Sequence, residues 1–163
     1  MSSGEELDHA AVELRNSLMR VARRLRAQRP PGELALGAMA VLGRLERDGP
    51  ATASELAAAE RVTPQSMARP VARLVELGLV ERRPDPADGR QTLLHPTDEG
   101  RELIRADRAR KDVWLARAMA THLNDVERDL LLLTTRLLDR LAAAPDVPDA
   151  ANTPDVPDAP TEH

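Results

Sequence analysis

Residues 78–100 read Gly-Leu-Val-Glu-Arg-Arg-Pro-Asp-Pro-Ala-Asp-Gly-Arg-Gln-Thr-Leu-Leu-His-Pro-Thr-Asp-Glu-Gly. The stretch predicts a strand over residues 79–83, a tip rich in Pro, Asp and Gly, a second strand over residues 91–95 and a helix that starts at Thr97. A two-stranded hairpin of this size is not stable alone in water. It must therefore pack against a neighbouring element of the chain.

The element before the hairpin is predicted to be a helix over residues 64–77. Thr63 is a favoured N-cap and Pro64 a favoured first-turn residue. A shorter, Ala-rich helix is expected to precede it, opened by the capping box Thr-Ala-Ser-Glu at residues 52–55. Two helices joined by a tight turn and followed by a hairpin are typical of a winged helix-turn-helix. The predicted fold class is mainly α with a small β-hairpin wing.

Longer helices are predicted around this unit, over residues 7–27, 97–121 and 124–144, with a further helix over residues 33–47. The first helix carries a heptad-like apolar stripe formed by Leu7, Ala11, Leu14, Leu18, Val21 and Leu25. Such a stripe fits either a helix that faces the core or a seam with a partner chain. Together the apolar stripes exceed what one small unit can cover, which predicts a dimer.

The expected organisation has four parts. Residues 1–32 form an N-terminal dimerisation helix, residues 33–96 the winged helix-turn-helix DNA-binding domain, and residues 97–144 the C-terminal dimerisation helices. Residues 145–163 form an acidic, Pro-rich tail that repeats Pro-Asp-Val-Pro-Asp-Ala and is expected to stay disordered. The alternative hypothesis for this tail is that it competes with DNA for the basic face.

The formal net charge of −4 hides an uneven distribution. The tail contains five acidic residues and no Lys or Arg, so that 23 basic residues and 22 of the 27 acidic residues lie within residues 1–144. Between residues 61 and 90 there are six Arg and four acidic residues. This modest local excess of positive charge permits nucleic-acid binding.

Side chains at the start of the 64–77 helix are the candidates for DNA contact. In a helix-turn-helix, the N-terminal residues of the second helix meet base edges in the major groove. Gln65 can pair with adenine and Arg69 with guanine, and the hydroxyls of Thr63 and Ser66 suit phosphate contacts. Arg73 lies on the same outward side. Helical spacing predicts that the inward side carries Met67, Val71, Leu74 and Val75. The alternative interpretation is that these polar side chains only face solvent.

The hairpin adds further basic candidates. Arg90 follows the turn formed by Asp88 and Gly89, where its guanidinium can enter a minor groove or pair with Asp88 to brace the tip. Arg82 and Arg83 lie on opposite faces of the first strand, so at most one of them is expected to reach a phosphate. Arg83 is the candidate.

Two groups of motifs resemble the MarR (multiple antibiotic resistance regulator) family. Residues 85–90, Asp-Pro-Ala-Asp-Gly-Arg, followed by Thr-Asp-Glu-Gly at residues 97–100, resemble the wing signature of that family. Residues 62–67, Val-Thr-Pro-Gln-Ser-Met, and residues 74–82, Leu-Val-Glu-Leu-Gly-Leu-Val-Glu-Arg, resemble its recognition-helix segment. The resemblance covers about residues 5–144, which is everything except the tail.

The resemblance implies a homodimer clasped by its N- and C-terminal helices that binds a pseudo-palindromic operator, usually as a repressor. Arg69, Arg73 and Arg90 match positions where the family places DNA-contacting or wing-bracing arginines. Two positions depart from the pattern. Gly89 replaces a frequent second basic residue at the tip, and Pro96 replaces the usual apolar residue, which predicts that the second strand ends early.

Many members of the family release DNA when a small molecule, often phenolic or anionic, binds between the dimer helices and the DNA-binding lobe. Others respond to cysteine oxidation, which the absence of Cys excludes here. The candidate ligand-binding residues are Arg15, Met19 and Trp114, with simple packing as the alternative role for Trp114.

No enzyme is predicted, because the four His are scattered at positions 9, 95, 122 and 163 and no Gly-rich phosphate loop follows a strand. No metal site, cofactor or membrane span is expected, and the expected location is the cytoplasm. The rival function is a winged-helix protein-interaction module without DNA binding. Arg69, Arg73 and Arg90 argue against it, and the salt dependence of binding discriminates the two.

Overall fold

The computed structural model describes residues 3–30 and 34–145. In these residues the elements follow the order α1 (Ser3–Arg26), α2 (Leu36–Asp48), α3 (Ala53–Ala59), α4 (Pro64–Glu76), β1 (Val80–Pro84), β2 (Thr92–Pro96), α5 (Asp98–His122) and α6 (Asp125–Ala142). The predicted fold class, mainly α with a small hairpin, is confirmed. Residues 146–163, and with them the predictions for the acidic tail, lie outside the described residues.

Two helix starts differ from the sequence prediction. α1 begins at Ser3 rather than at residue 7, and α2 begins at Leu36 rather than at residue 33. The late start of α2 has a local cause, because Ala35 has the extended backbone angles φ −55° and ψ 151° and has no side chain able to cap the helix.

The chain divides into two compact units, Met1–Ala118 and Met119–His163. The first contains α1 to α4, the hairpin and most of α5. The second contains the end of α5 and all of α6. The four functional parts expected from the sequence, with boundaries after residues 32, 96 and 144, stay a prediction.

The hydrophobic core of the first unit is built from α2, α3, α4 and the hairpin, together with Ile104 of α5. Leu42, Leu45, Leu56 and Leu74 are at most 1% exposed. Aliphatic side chains fill this space because the chain has no Phe or Tyr. Burial of each such side chain contributes about 1.5–3 kcal/mol, and the core thereby fixes α3 and α4 against each other.

The two strands pair antiparallel, with Val80 opposite Pro96 and Pro84 opposite Thr92. Each strand therefore lies one residue later than predicted. Ala51 extends the sheet, because its carbonyl accepts from the Leu94 N–H at 2.9 Å and its N–H donates to the Leu94 carbonyl at 3.4 Å. The hairpin is thus attached to the segment that leads into α3.

The expectation that Pro96 ends the second strand early is wrong, since β2 includes Pro96. The backbone bonds from Thr97 to Leu79 and from Asp85 to Gln91 mark the pairs that exchange hydrogen bonds across the hairpin. These pairs alternate along an antiparallel ladder, so the Val80–Pro96 pair falls between them. An N–H at this position would point away from β1, so proline here costs no hydrogen bond between the two strands.

Thr97 and Gly100 dock the start of α5 onto the end of α4. The Thr97 hydroxyl donates to the Gly78 carbonyl at 2.8 Å and accepts from the Gly100 N–H at 3.1 Å. Gly100 is buried against the backbone of Leu79. The Thr-Asp-Glu-Gly motif therefore combines a helix cap with a close approach that only glycine permits.

α6 contrasts with the helices of the core because none of its side chains is buried. An apolar stripe at helical spacing is between 53% and 68% exposed and comprises Val126, Leu130, Leu133, Leu137 and Leu141. α1 likewise exposes Leu7, Leu14, Leu18 and Val21. No helix within the described residues combines the length and apolar character that a bilayer span needs.

Candidate nucleic-acid interface

α3 begins with the capping box predicted from the sequence. The Thr52 hydroxyl oxygen accepts from the Glu55 N–H at 3.2 Å, and the Glu55 carboxylate accepts from the Thr52 N–H at 2.7 Å. The backbone and side-chain hydrogen bonds from Thr52 lower the pKa of the Glu55 carboxyl below its usual value. At the other end of α3, Arg44 of α2 donates from Nε to the Glu60 carboxylate at 2.7 Å, so α3 is held at both ends.

The turn between α3 and α4 is closed by two backbone bonds. The Arg61 N–H donates to the Ala58 carbonyl at 3.1 Å and the Val62 N–H to the Ala57 carbonyl at 3.0 Å. Arg61 has a φ of +53°, in the left-handed region. Sequence reasoning located this turn but assigned no role to Arg61.

The N-terminus of α4 has fewer open amide donors than a free helix end. Thr63 is the N-cap, and its hydroxyl oxygen accepts from the Ser66 N–H at 3.2 Å. The two hydroxyls of Thr63 and Ser66 lie 2.9 Å apart. Pro64 has no N–H. Among the described residues this leaves the Gln65 amide as the first-turn donor open to a phosphate, and both hydroxyls remain exposed.

The two sides of α4 are clearly distinct. Its core side carries the buried Met67, Val71 and Leu74, as predicted. Val75, also predicted to face inward, is only partly buried and packs against the same core. The exposed residues include the N-cap and the four α4 residues that were predicted to contact DNA, namely Thr63, Gln65, Ser66, Arg69 and Arg73.

The two arginines of α4 have different neighbours. Arg73 donates to the Glu76 carboxylate at 3.2 Å. Arg69 has no ion-pair partner within the part of the chain that the structure describes. Both side chains also line a cleft between α2 and α4, together with Pro70. Arg69 is therefore the α4 cation most available to an external partner.

α4 ends in a glycine motif that sets the direction of the wing. Gly78 has a φ of +69°, its N–H donates to the Val75 carbonyl at 3.0 Å, and the Leu79 N–H donates to the Leu74 carbonyl at 2.9 Å. This is the double-bonded helix end at which glycine is favoured. β1 starts two residues later, so the wing has a fixed origin at the end of α4.

Asp88 forms several hydrogen bonds at the wing tip, but none of these is to the Arg90 guanidinium. Its carboxylate accepts from the backbone N–H of Arg90 at 3.1 Å and from the Gln91 side-chain amide at 3.3 Å. Its carbonyl also accepts from the Gln91 N–H at 2.8 Å. The brace acts on the backbone, and the Arg90 side chain is exposed.

The two arginines of β1 are not equivalent. Arg83 donates to the Glu81 carboxylate two residues before it, which lies on the same face of the strand. Arg82 is exposed and, within the described residues, has no ion-pair partner. The structure therefore favours Arg82 over the predicted Arg83 as the strand residue available to a phosphate.

The candidate ligand residues do not share a site. Trp114 lies beside Arg24 of α1, whose guanidinium carbon is 5.8 Å from the ring centroid. It lines a cavity of about 420 Å³ with Gln28, Arg110 and Arg117 among its neighbours. Arg15 and Met19 are exposed on α1 and line none of the three main cavities of the described residues.

The cleft between α2 and α4 is the larger cavity, with a volume of about 1040 Å³. Its lining is mostly apolar, and its cations are the Arg69 and Arg73 of the exposed α4 side. Sequence reasoning missed it, because a cleft between two helices depends on how they pack. No group of three or more potential metal ligands occurs within the described residues.

A buried carboxylate connects α5 to the segment between α1 and α2. Asp107 is 4% exposed and lies 3.4 Å from Arg29 Nε and 3.6 Å from the Arg110 guanidinium. Lys111 also donates to it. Arg29 in turn donates to the Leu34 carbonyl at 3.0 Å, so the cluster links α5 to Arg29 and, through it, to Leu34.

Comparison with known proteins identifies the family. The model of the MarR family matches residues 34–91. A helix-turn-helix transcriptional regulator from Mycobacterium bovis is 41% identical over 121 residues, which are 74% of this chain and 84% of that protein. A helix-turn-helix transcriptional regulator from Mycobacterium leprae is 40% identical over a segment of the same length, with the same coverage.

Solved structures agree with this result. A protein described as a transcriptional regulator from Pseudomonas aeruginosa has a TM-score of 0.77 at 34% identity, covering 88% of this chain and 99% of that one. A MarR family protein from Bacillus stearothermophilus has the same fold, with a TM-score of 0.74 at 17% identity over 88% of this chain and 100% of that one. The chain belongs to the MarR family of transcriptional regulators.

Proposed function

We propose that the protein is not an enzyme but a homodimer that binds a specific pseudo-palindromic DNA sequence, represses transcription from it, and releases it when a small molecule binds. One observation carries the proposal. The core side of α4 is fixed by buried apolar residues, while its opposite side exposes Gln65, Arg69 and Arg73. A rigid helix that presents an amide and two guanidinium groups is suited to reading base edges.

α4 enters the major groove in this proposal. Gln65 pairs with adenine and Arg69 with guanine, and each such pair contributes about 1–3 kcal/mol of discrimination. Arg73 is already bonded to Glu76 at 3.2 Å, so it suits a phosphate contact made by exchanging that carboxylate. Thr63 and Ser66 supply hydroxyl donors to the phosphates at the groove edge.

The wing lies over the adjacent minor groove. Because Asp88 holds the backbone at Arg90, the guanidinium of Arg90 extends from a tip whose conformation is already fixed. Less conformational freedom is then lost on binding. Narrow A·T-rich minor grooves attract arginine most strongly, so such a tract is expected beside each half-site.

Dimerisation follows from the exposed apolar stripes of α1 and α6. A monomer would leave them in water, and contiguous apolar patches of this kind usually mark an interface. A two-fold dimer presents two α4 helices, which match half-sites about one helical turn apart. Residues 1–32 and 97–144 are the dimerisation segments of this proposal.

The effector is expected to bind in the cleft between α2 and α4, where Arg69 and Arg73 supply positive charge. An anionic, partly apolar molecule there would compete with DNA for the same guanidinium groups. It would also favour one spacing of the two recognition helices over another. Arg15, Met19 and Trp114 remain weaker candidates, because they do not share a cavity.

The test begins with selection of bound sites from random double-stranded DNA. The affinity for the selected site should fall steeply with added salt, since several phosphate contacts release counterions. The triple variant with Ala at Arg69, Arg73 and Arg90 should lose binding by at least about 100-fold, given about 1–3 kcal/mol for each arginine contact to a base or a phosphate.

The matched control replaces Arg47, Arg101 and Arg105 with Ala, three arginines outside the proposed interface that each pair with an acid. It should bind the selected site like the wild type. Equal binding by both triple variants, or an affinity that does not change with salt concentration, would support the rival function of a protein-interaction module. Screening small molecules against the selected complex then tests the effector response.

A further inference from the structure

Arg61 occupies a backbone position that suits glycine. Its φ of +53° makes it the one residue other than glycine with a left-handed φ in the described part of the chain. A Cβ atom is crowded in this conformation, whereas glycine adopts it freely. The position is costly for arginine, and strained residues of this kind cluster at functional sites.

The same turn occurs twice in the protein, which makes the choice of residue informative. Both α3 and α4 end with paired bonds of the 6→1 and 5→2 type. At the end of α4 the left-handed residue is Gly78, and at the end of α3 it is Arg61. Turn geometry alone therefore favours glycine at both places and does not explain the arginine.

The surroundings of Arg61 suit an external anion. The preceding Ala58 and Ala59 are exposed and small, which leaves room for a DNA backbone to approach. Arg61 is itself exposed, so its long side chain can extend beyond the turn.

We infer that Arg61 binds a DNA phosphate at the edge of the groove that α4 enters, which rests on the DNA binding proposed above. Arg61 lies two residues before the N-cap Thr63, so their Cα atoms are at most about 7 Å apart. The major groove is about 12 Å wide, and the phosphates that flank an inserted helix start lie within reach of a long side chain at this position. Arginine suits this contact because its guanidinium donates to two phosphate oxygens at once.

The experiment compares three substitutions in the full chain on the selected DNA site. Arg61→Gly and Arg61→Asn remove the cation but tolerate the left-handed φ. Both should weaken binding about 5- to 10-fold at moderate salt and reduce the slope of log affinity against log salt by about 0.9, the value for one phosphate. Arg61→Lys keeps the charge and should keep the slope.

Thermal unfolding supplies a second measurement, because the stability of the fold should not fall when DNA binding weakens. Arg61→Gly should unfold at the same or a higher temperature than the wild type, because the strain is removed. Weaker DNA binding in a fold that is at least as stable separates a lost contact from a damaged turn. Loss of binding in Arg61→Gly with retention in Arg61→Asn would instead assign the effect to turn rigidity and overturn the inference.

The control is Arg105→Ala, which removes an exposed arginine of α5. It should change neither the affinity for DNA nor the slope of log affinity against log salt. Unchanged binding by both Arg61→Gly and Arg61→Asn, while Arg69→Ala still weakens binding, would overturn the role of Arg61 alone. If the wild-type protein selects no DNA site, the proposed function itself fails.

Discussion

The backbone carbonyl oxygen of Leu79 lies 2.2 Å from the point where a Cβ atom would stand on Gly100. That distance is far inside van der Waals contact, and the obstructing atom belongs to the backbone rather than to a flexible side chain. The segment after α4 and the first turn of α5 therefore approach each other as closely as glycine allows, and any larger residue must separate them.

Gly100→Ala is expected to destabilise the protein by about 3 kcal/mol, the upper part of the range for overpacking, as measured by urea unfolding. Gly43→Ala is the matched control, because its added Cβ would meet Ile104 at an ordinary 3.7 Å. Since Gly43 lies inside α2, alanine there should be neutral or stabilising. Equal effects of the two substitutions would contradict the close approach at Leu79.

Asp107→Ala should destabilise the fold by about 3–5 kcal/mol, because removing one partner of a buried pair leaves uncompensated charge. The side chains of Asp107 and Arg29 are only 5% and 10% exposed. Glu102→Ala, whose pair with Arg105 is largely exposed, serves as the control and should cost at most about 1 kcal/mol. A small effect of Asp107→Ala in chemical denaturation would show that the cluster is dispensable.

The stability should depend on pH through Glu55. Its folded-state pKa is lowered by Thr52, so the contribution is fully present above the usual value of 4.5 and is lost as the pH falls through the lowered value. The stability difference between wild type and Glu55→Gln should therefore shrink from pH 7 to pH 3 when urea midpoints are compared. Thr52→Ala should behave similarly, and a difference independent of pH would contradict the assignment.

Arg82→Ala should reduce DNA affinity more than Arg83→Ala does. Arg83 is already paired with Glu81, whereas Arg82 is exposed on the other face of β1. Titration of the selected DNA site with each variant measures the difference, and the salt slope should fall for Arg82→Ala. A larger loss for Arg83→Ala would restore the assignment made from the sequence.

Leu137→Asp should convert the proposed dimer to monomer in sedimentation experiments at micromolar concentration. Leu137 is 53% exposed in the apolar stripe of α6, and a charge buried there would be unpaired. Thr135→Asp places the same charge on the opposite side of the helix and should leave the dimer intact. A wild-type protein that sediments as a monomer would contradict the proposed homodimer.

The sequence predicted those features that depend on local chemistry. The capping box at Thr52 appears as expected, because it involves residues three positions apart. The inward residues of α4 followed from helical periodicity. The strands were placed one residue early, since their ends are set by the pairing between the two strands rather than by the residues of each strand alone.

Features of the site that depend on side-chain orientation and on the packing of elements were not predictable in the same way. Nothing in the strand pattern showed that Arg83 would bond to Glu81 or that Asp88 would hold the backbone of Arg90. The left-handed conformation of Arg61 becomes apparent only when the turn bonds are known. The cleft between α2 and α4 likewise arises from helix packing.

Proline ends the strand of the hairpin that has a free edge. Pro84 is the last residue of β1, is exposed, and lies at a position whose N–H would point away from β2. The outer edge of β2 is instead covered in part by Ala51, and Pro96 at its end is buried. An open strand edge invites further strands from other molecules, and proline is one of the residues that block this. The wing can therefore stay exposed for DNA while its free edge is a poor template for strands of other copies of the chain.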